Sequence, residues 1–161
     1  RVQLADGGRF ALPTELAYRG GPEVRDYVRR RLDAGIGEVC GAWTAPTLAK
    51  TTIFQLVSCA GFSLTARLGI RQVLASCAAY TVRTATDLGL VIERSLGDDG
   101  TFRYPTPDNL SYFVVLPDTA TFEHALPAYR DTILDLRARP RQHRTVDAGR
   151  RTLAIDVDLC L

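Results

Sequence analysis

Four cysteines, two histidines and one lysine are the side chains of this 161-residue chain in which nucleophilic, metal-binding or acid–base chemistry would first be sought. They are Cys40, Cys59, Cys77 and Cys160, His124 and His143, and Lys50. No two cysteines form a CxxC pair, so their spacing outlines no zinc site of the usual kind and no metal is expected. Cys40, Cys59 and Cys77 lie in apolar segments, where a free cysteine reads as a small buried hydrophobe. Cys77 also reads as a nucleophile, although no histidine stands near it in the sequence. Neither histidine has a carboxylate and a nucleophile at a triad-like spacing, so both read as surface residues. The glycine-rich dinucleotide and phosphate fingerprints, the nucleophile elbow and the zinc-peptidase motif are absent.

Apart from Lys50 the basic residues are all arginine. Arg25, Arg29, Arg30 and Arg31 crowd one short segment, and Arg137, Arg139, Arg141, Arg144, Arg150 and Arg151 crowd the C-terminal part. The second group reads as a solvated, partly mobile tail, or as a contact for an acidic partner. The formal net charge of +2 is too balanced to point to nucleic acid. With 46% hydrophobic and 24% charged residues, the chain is neither disordered nor membrane-embedded by composition. No apolar stretch reaches the roughly 18 residues of a spanning helix, so no membrane partner is expected. The first 30 residues lack the apolar run of a secretory leader, which with the unpaired cysteines points to a reducing, cytoplasmic setting. The chain contains no Met and begins at Arg1, so a processed or excised piece, with residues ahead of Arg1, is expected.

These residues need elements to position them. Asp6-Gly7-Gly8 is a hairpin signal between Val2/Leu4 and Phe10/Leu12. Residues 22–34 read as a helix, with Val24, Tyr27, Val28 and Leu32 on one face and Gly35 as its stop. Residues 36–45 read as a strand interrupted by Gly37 and Gly41, glycines of the kind that mark a bulge or the close approach of a ligand. The longest helical pattern spans 48–68, with a broad apolar stripe and small residues elsewhere, and Gly69 caps it. A strand at 70–77, a short helix at 80–88 and a strand at 90–95 follow, then a turn at 97–100 and a strong strand at 110–116. A helix within 121–138, interrupted or started by Pro127, and an alternating strand at 152–161 complete the order β-β-α-β-α-β-α-β-β-α-β. This is an α/β (α+β) pattern: one domain over 1–161, with a mixed central sheet flanked by helices, a core at 36–116, and a C-terminal helix and strand at 121–161.

The stretches GEVCGAWTAP (37–46), LVSCAGFSLTARLGIRQVLASC (56–77) and YTVRTATDLGLVIERS (80–95) resemble the GNAT superfamily of N-acyltransferases. The match is to its central strand, long helix, next strand and short helix, and it covers roughly residues 36–116. Within the superfamily the chain looks most like the acyl-homoserine-lactone synthase and N-acyl amino acid synthase branch. There the central strand carries a Glu followed by a Ser-Arg pair. Glu38 matches the Glu, while Cys40 stands at the Ser and Gly41 at the Arg. The resemblance implies that a first strand and helices of the fold are lacking, and that the final strand fills the vacant place in the sheet.

An acyltransferase of this kind moves an acyl group from a thioester to an amine. The donor would be acyl-CoA or the phosphopantetheine of an acyl carrier protein, and the acceptor a small-molecule amine. Glu38 is then the expected base, Tyr80 the acid for the leaving thiolate, and Cys77 a possible nucleophile. Cys40, Gly41, Trp43 and Thr44 would bind substrate, with backbone N–H groups at Gly41–Thr44 for the oxyanion and Trp43 lining an acyl pocket. Lys50, Thr51 and Thr52 stand where the family's glycine-rich pyrophosphate loop would be, in a PTLAKTT run with no glycine. The plain structural alternatives are a Glu38 facing water, a Tyr80 packed at a helix start and a Trp43 in the core. Two other functional readings compete: a non-catalytic binding or sensor module with the same fold, and a fragment or subunit, homo-oligomers included, whose edge strands seek a partner. A V-shaped opening between two parallel strands, with Glu38 facing it, would support the first reading, and a tightly closed sheet there would sink it.

Overall fold

The computed structural model describes residues 1–18, 22–48, 51–148 and 151–160. Its centre is a parallel pair of strands, β2 (Ile36–Val39) and β3 (Gln72–Ala78), preceded by β1 (Val2–Leu4), α1 (Pro13–Ala17) and α2 (Glu23–Arg29). Parallel strands require a long crossover, and α3 (Ile53–Ser63) supplies it. After β3 come α4 (Val82–Asp87), β4 (Val91–Ile92), β5 (Thr101–Arg103) and β6 (Leu110–Leu116). Strand β6 pairs antiparallel with β3 from Val73↔Leu116 to Ala78↔Ser111, so it inserts between β3 and the short strands β4 and β5. Strand β1 lies antiparallel on the outer edge of β2. The chain ends in α5 (Pro127–Ala138) and an antiparallel hairpin of β7 (Arg141–Asp147) and β8 (Thr152–Asp158), which form a separate two-stranded sheet. The mixed α+β class expected from the sequence is what the chain adopts.

Period-two alternation divides the strands between two cores. Ile36, Leu74, Phe113 and Val115 face α1 and α2, where they meet Leu12, Tyr18, Val24, Tyr27 and Val28. Val73, Val114 and Leu116 face the other way, against Cys59 and Phe62 of α3, Ala85 of α4, and Ile133 and Leu136 of α5.

Several expected elements are corrected. Residues 5–12 form no second strand, because the Asp6 carboxylate takes the N–H groups of Gly8 and Phe10 in a local turn. β1 pairs instead with the distant β2. The expected strand at 36–45 stops at Val39, and Gly41 turns the chain at φ +66°. Gly37 is required by the chain itself: a Cβ there would stand 2.6 Å from the carbonyl oxygen of Gln3 and 2.7 Å from Ile70 Cδ1. The pattern at 48–68 yields a helix only over Ile53–Ser63, preceded by a 3-10 turn at Pro46–Leu48. Gly35 and Gly69 take positive φ where helical turns end, as their stop positions predict, and Gly89 does the same after α4.

The arginine-rich C-terminal part is a folded hairpin and not a solvated tail. Arg139 and Arg144 both reach Asp135 of α5, and Arg141 Nε lies 3.2 Å from Asp158 Oδ2. Arg137 stacks its guanidinium 5.3 Å from the centre of the Phe122 ring and donates to the carbonyl of Thr119 at 2.8 Å. Arg150 lies outside the described residues. The last strand does not enter the main sheet; Val157 and Leu159 pack against the α3–α5 core from outside. Among the described residues no helix is long and apolar enough to cross a membrane.

Candidate functional site

Pairing between β2 and β3 ends at Glu38↔Leu74. Beyond that point β3 continues to Ala78 against β6, while the other chain leaves through Cys40 and Gly41. The two strands part at their carboxyl ends, where α/β crevices take ligands. A cleft of about 630 Å³ opens there. Residues 39–44 form one wall and Ala75, Ser76 and Cys77 the other. Phe54, Ser58 and Phe62 of α3, with Thr84, Ala85 and Leu88 along α4, close its base.

Two aromatic side chains stand at this cleft in water. Trp43 is 73% exposed and Tyr80 89% exposed, so neither is the packed core residue that was the plain alternative. Large apolar surface left in solvent beside a concavity marks a contact for something else. The backbone N–H groups of Gly41, Ala42, Trp43 and Thr44 donate to no group among the described residues. They are free donors on the cleft wall, as an oxyanion or an amide carbonyl would need.

Six of the expected site residues therefore come together: Cys40, Gly41, Trp43, Thr44, Cys77 and Tyr80. Burial pushes the Cys77 thiol up to about 11, and burial with the neighbouring Glu38 charge raises that of Cys40. Both thiols hold their protons at neutral pH, and a nucleophile needs the thiolate. Neither histidine is near to help. His124 is exposed beside Glu123, and His143 is exposed beside Asp156 on the hairpin.

Glu38 departs from expectation. It projects to the opposite face of β2, is 2% exposed, and is held by Thr14. Thr14 donates its N–H to Oε2 at 2.9 Å and its hydroxyl to Oε1 at 2.8 Å. Burial raises the Glu38 pKa above the usual carboxylate range, with the two Thr14 bonds opposing the rise. Among the described residues no Asp, Glu or His side chain lines the cleft.

Thr51 and Thr52 also lie outside it. The Thr51 hydroxyl donates to the carbonyl of Leu48 at 2.7 Å and accepts from the N–H of Ile53, while Thr52 donates to the carbonyl of Asp147 at 3.0 Å. These contacts serve the start of α3 and its junction with the C-terminal hairpin. Lys50 lies outside the described residues. Among the described residues no cluster of His, Cys, Asp or Glu is placed to hold a metal ion.

Sequence reasoning missed the cleft's α3 and α4 walls and Ser76. One signal was present. After Leu74, β3 runs Ala75-Ser76-Cys77-Ala78, and such a row of small side chains leaves space beside a strand. No family model, curated protein or solved structure compared with this chain matches it.

Proposed function

We propose that the chain is an N-acyltransferase of the GNAT type, which holds a pantetheine-borne acyl thioester between β2 and β3 and passes its acyl group to an amine. One observation carries the reading: two adjacent parallel strands separate beyond Glu38 and Leu74 and leave a cleft with free N–H groups on one wall. An extended pantetheine arm has amides that suit such a strand edge. The apolar side chains of Phe54, Phe62 and Leu88 suit an acyl chain.

In this reading the amine nitrogen attacks the thioester carbon, and the N–H groups of Gly41–Thr44 stabilise the oxyanion. The C–S bond then breaks, and the Tyr80 hydroxyl gives its proton to the departing thiolate. The thiols of Cys40 and Cys77 stay protonated, so the acyl group goes to the amine directly and not through an acyl-cysteine. With no carboxylate or histidine on its described walls, the cleft suits an amine that arrives neutral, with the departing proton taken by water. The four free cysteines suit a reducing, cytoplasmic setting.

A second reading has its own support. Glu38 is engaged by Thr14 on the far face, which favours a module that binds a thioester without turning it over. Trp43 is the only tryptophan and stands at the cleft, so its emission reports occupancy. Octanoyl-CoA and octanoyl carrier protein are to be titrated against that emission. Thiol release is then followed with a panel of primary amines. Binding with release supports the transferase, and binding without release supports the module. An emission that no thioester changes would remove both.

A further inference from the structure

The hairpin of β7 and β8 has two outer edges, and its register tells them apart. The two strands pair with each other and, among the described residues, with no other strand. The N–H of Ala148 donates to the carbonyl of Arg151, and that of Leu159 to the carbonyl of Pro140. The even-numbered residues of β7 and the odd-numbered residues of β8 therefore aim their backbone groups across the hairpin. The others aim theirs outward: Arg141, His143, Thr145 and Asp147 along β7, and Thr152, Ala154, Asp156 and Asp158 along β8. On β7 one of these groups is taken, because the Asp147 carbonyl accepts from the Thr52 hydroxyl at the start of α3. On β8 the outward N–H and C=O groups bond to nothing among the described residues.

A row of unpaired backbone groups is a template for another strand. The strand that fits this one is a second copy of itself. Antiparallel pairing about Ile155 overlaps the whole of β8, Thr152–Asp158, and sets outward residues against outward residues. Thr152 meets Asp158 of the second copy and Ala154 meets Asp156, each pair exchanging both N–H···O bonds. The side chains agree with that register. Those of the outward residues are exposed on one face, where each aspartate stands opposite an alanine or a threonine and no like charges meet. Arg141 and His143 of the same chain already lie beside Asp158 and Asp156. On the other face the half-buried Leu153 meets Val157 of the second copy, and Ile155 meets Ile155. A register centred on Asp156 would set that carboxylate against its own copy, and one centred on Ala154 shortens the ladder. Self-pairing of β7 about Arg144 would set two guanidiniums face to face, at an edge that Thr52 already occupies.

We infer that the outer edge of β8 is a self-association surface, at which two copies of the chain join antiparallel about Ile155 into one four-stranded sheet. A two-stranded ribbon is marginal by itself, and the added ladder gives it the strands it lacks. The contact is isologous, so it closes as a dimer and does not propagate. It stands independently of the reading of the cleft.

Sedimentation velocity of the intact chain from about 1 μM to about 100 μM, the range of moderate affinities, should show one chain mass giving way to two. Ala154→Pro removes an N–H that points outward, so the β7–β8 ladder keeps its bonds while the second copy loses a donor and meets the proline ring. This variant should sediment as a monomer throughout. Thr145→Pro makes the same change on the β7 edge and should still dimerise. Amide exchange of the unmodified chain adds a readout that no variant's folding affects. The Ala154 and Asp156 N–H groups should exchange about tenfold more slowly at the top of the concentration range than at its foot, while those of His143 and Thr145 stay fast at both. A chain that remains monomeric across the range would overturn the inference. So would a dimer that survives Ala154→Pro, or protection that arises at His143 and Thr145 in place of Ala154 and Asp156. None of these results bears on the thioester reading, which the Trp43 titration tests separately.

Discussion

Glu38 and Thr14, 24 residues apart, hold each other through two hydrogen bonds, and that pair ties the start of α1 to the face of β2 that lies away from the cleft. Thr14 is the second residue of α1, whose first N–H groups have no partner within the helix, and one of them finds the buried carboxylate. The contact explains why an acidic residue sits 2% exposed in a strand. It also means that this glutamate serves the fold at the point where the resemblance expects a base.

The pair sets a pH dependence whose sign follows from the raised pKa of Glu38. Its stabilising contribution is full below about 4.5, the ordinary value, and is lost as pH rises through the higher folded value. A glutamine could accept from the Thr14 N–H and donate to the Thr14 oxygen without carrying charge. Glu38→Gln should therefore gain stability relative to the unmodified chain as pH climbs above about 4.5, then level off. Urea unfolding across pH 4 to 8 checks this, and a difference that is flat or falls with pH contradicts it. Thr14→Ala should cost about 1–3 kcal/mol at neutral pH, because it strips a buried carboxylate of one donor.

Thiol chemistry should rank the cysteines by environment. Cys160 is exposed and should react first with a thiol reagent. Cys77, pushed up to about 11, and Cys59, pushed up to about 12 by burial, should be nearly inert at pH 7 in the folded chain. Alkylation followed by mass spectrometry reads the order, and the Cys77 rate should rise about tenfold per pH unit below its pKa. A thioester in the cleft should slow Cys40 and Cys77 and leave Cys160 unchanged.

Two glycines of one segment should respond unequally to alanine. Gly37→Ala drives a Cβ to within 2.6 Å of the Gln3 carbonyl oxygen, where β1 passes, and should cost more than about 2 kcal/mol. Gly41→Ala meets no atom within 4 Å and bears only the strain of φ +66°, about 1 kcal/mol. Thermal melts of the two variants give the comparison directly. A Gly41→Ala cost equal to that of Gly37→Ala would mean the wall of the cleft is packed more tightly than described.

Trp43 and Tyr80 should matter for ligands and not for folding. Each side chain lies mostly in water, so Trp43→Ala and Tyr80→Phe should change stability by less than about 0.5 kcal/mol. Trp43→Ala should weaken binding of octanoyl thioesters, measured by calorimetry because the fluorophore is gone. Tyr80→Phe should leave binding unchanged while lowering the rate of thiol release. A Tyr80→Phe variant that releases thiol at the unmodified rate would exclude this hydroxyl as the acid.

Much of the fold is legible locally. LSYFVVL becomes β6 with the bounds its pattern predicts, Pro127 starts α5, and Gly35, Gly69 and Gly89 end helical segments because only glycine takes their positive φ cheaply. The β7 strand was not legible, since its inward positions include Gln142 and Arg144 and its outward ones Arg141, His143 and Asp147. A strand whose polar residues are satisfied by Asp135, Asp156 and Asp158 shows no apolar alternation to read.

What the sequence alone determined is the main run of strands and helices from 22 to 138, though not all their bounds, and that Cys40–Thr44 follows the strand that holds Glu38. Only the tertiary structure decided which way each side chain faces. Register alternates faces residue by residue, so where β2 meets β3 and where it stops put Val39 on the cleft and Glu38 on α1. The opening itself is a long-range fact of the same kind: β3 keeps β6 as a partner to Ala78 while it loses β2 after Leu74, and no local pattern records the loss of a partner.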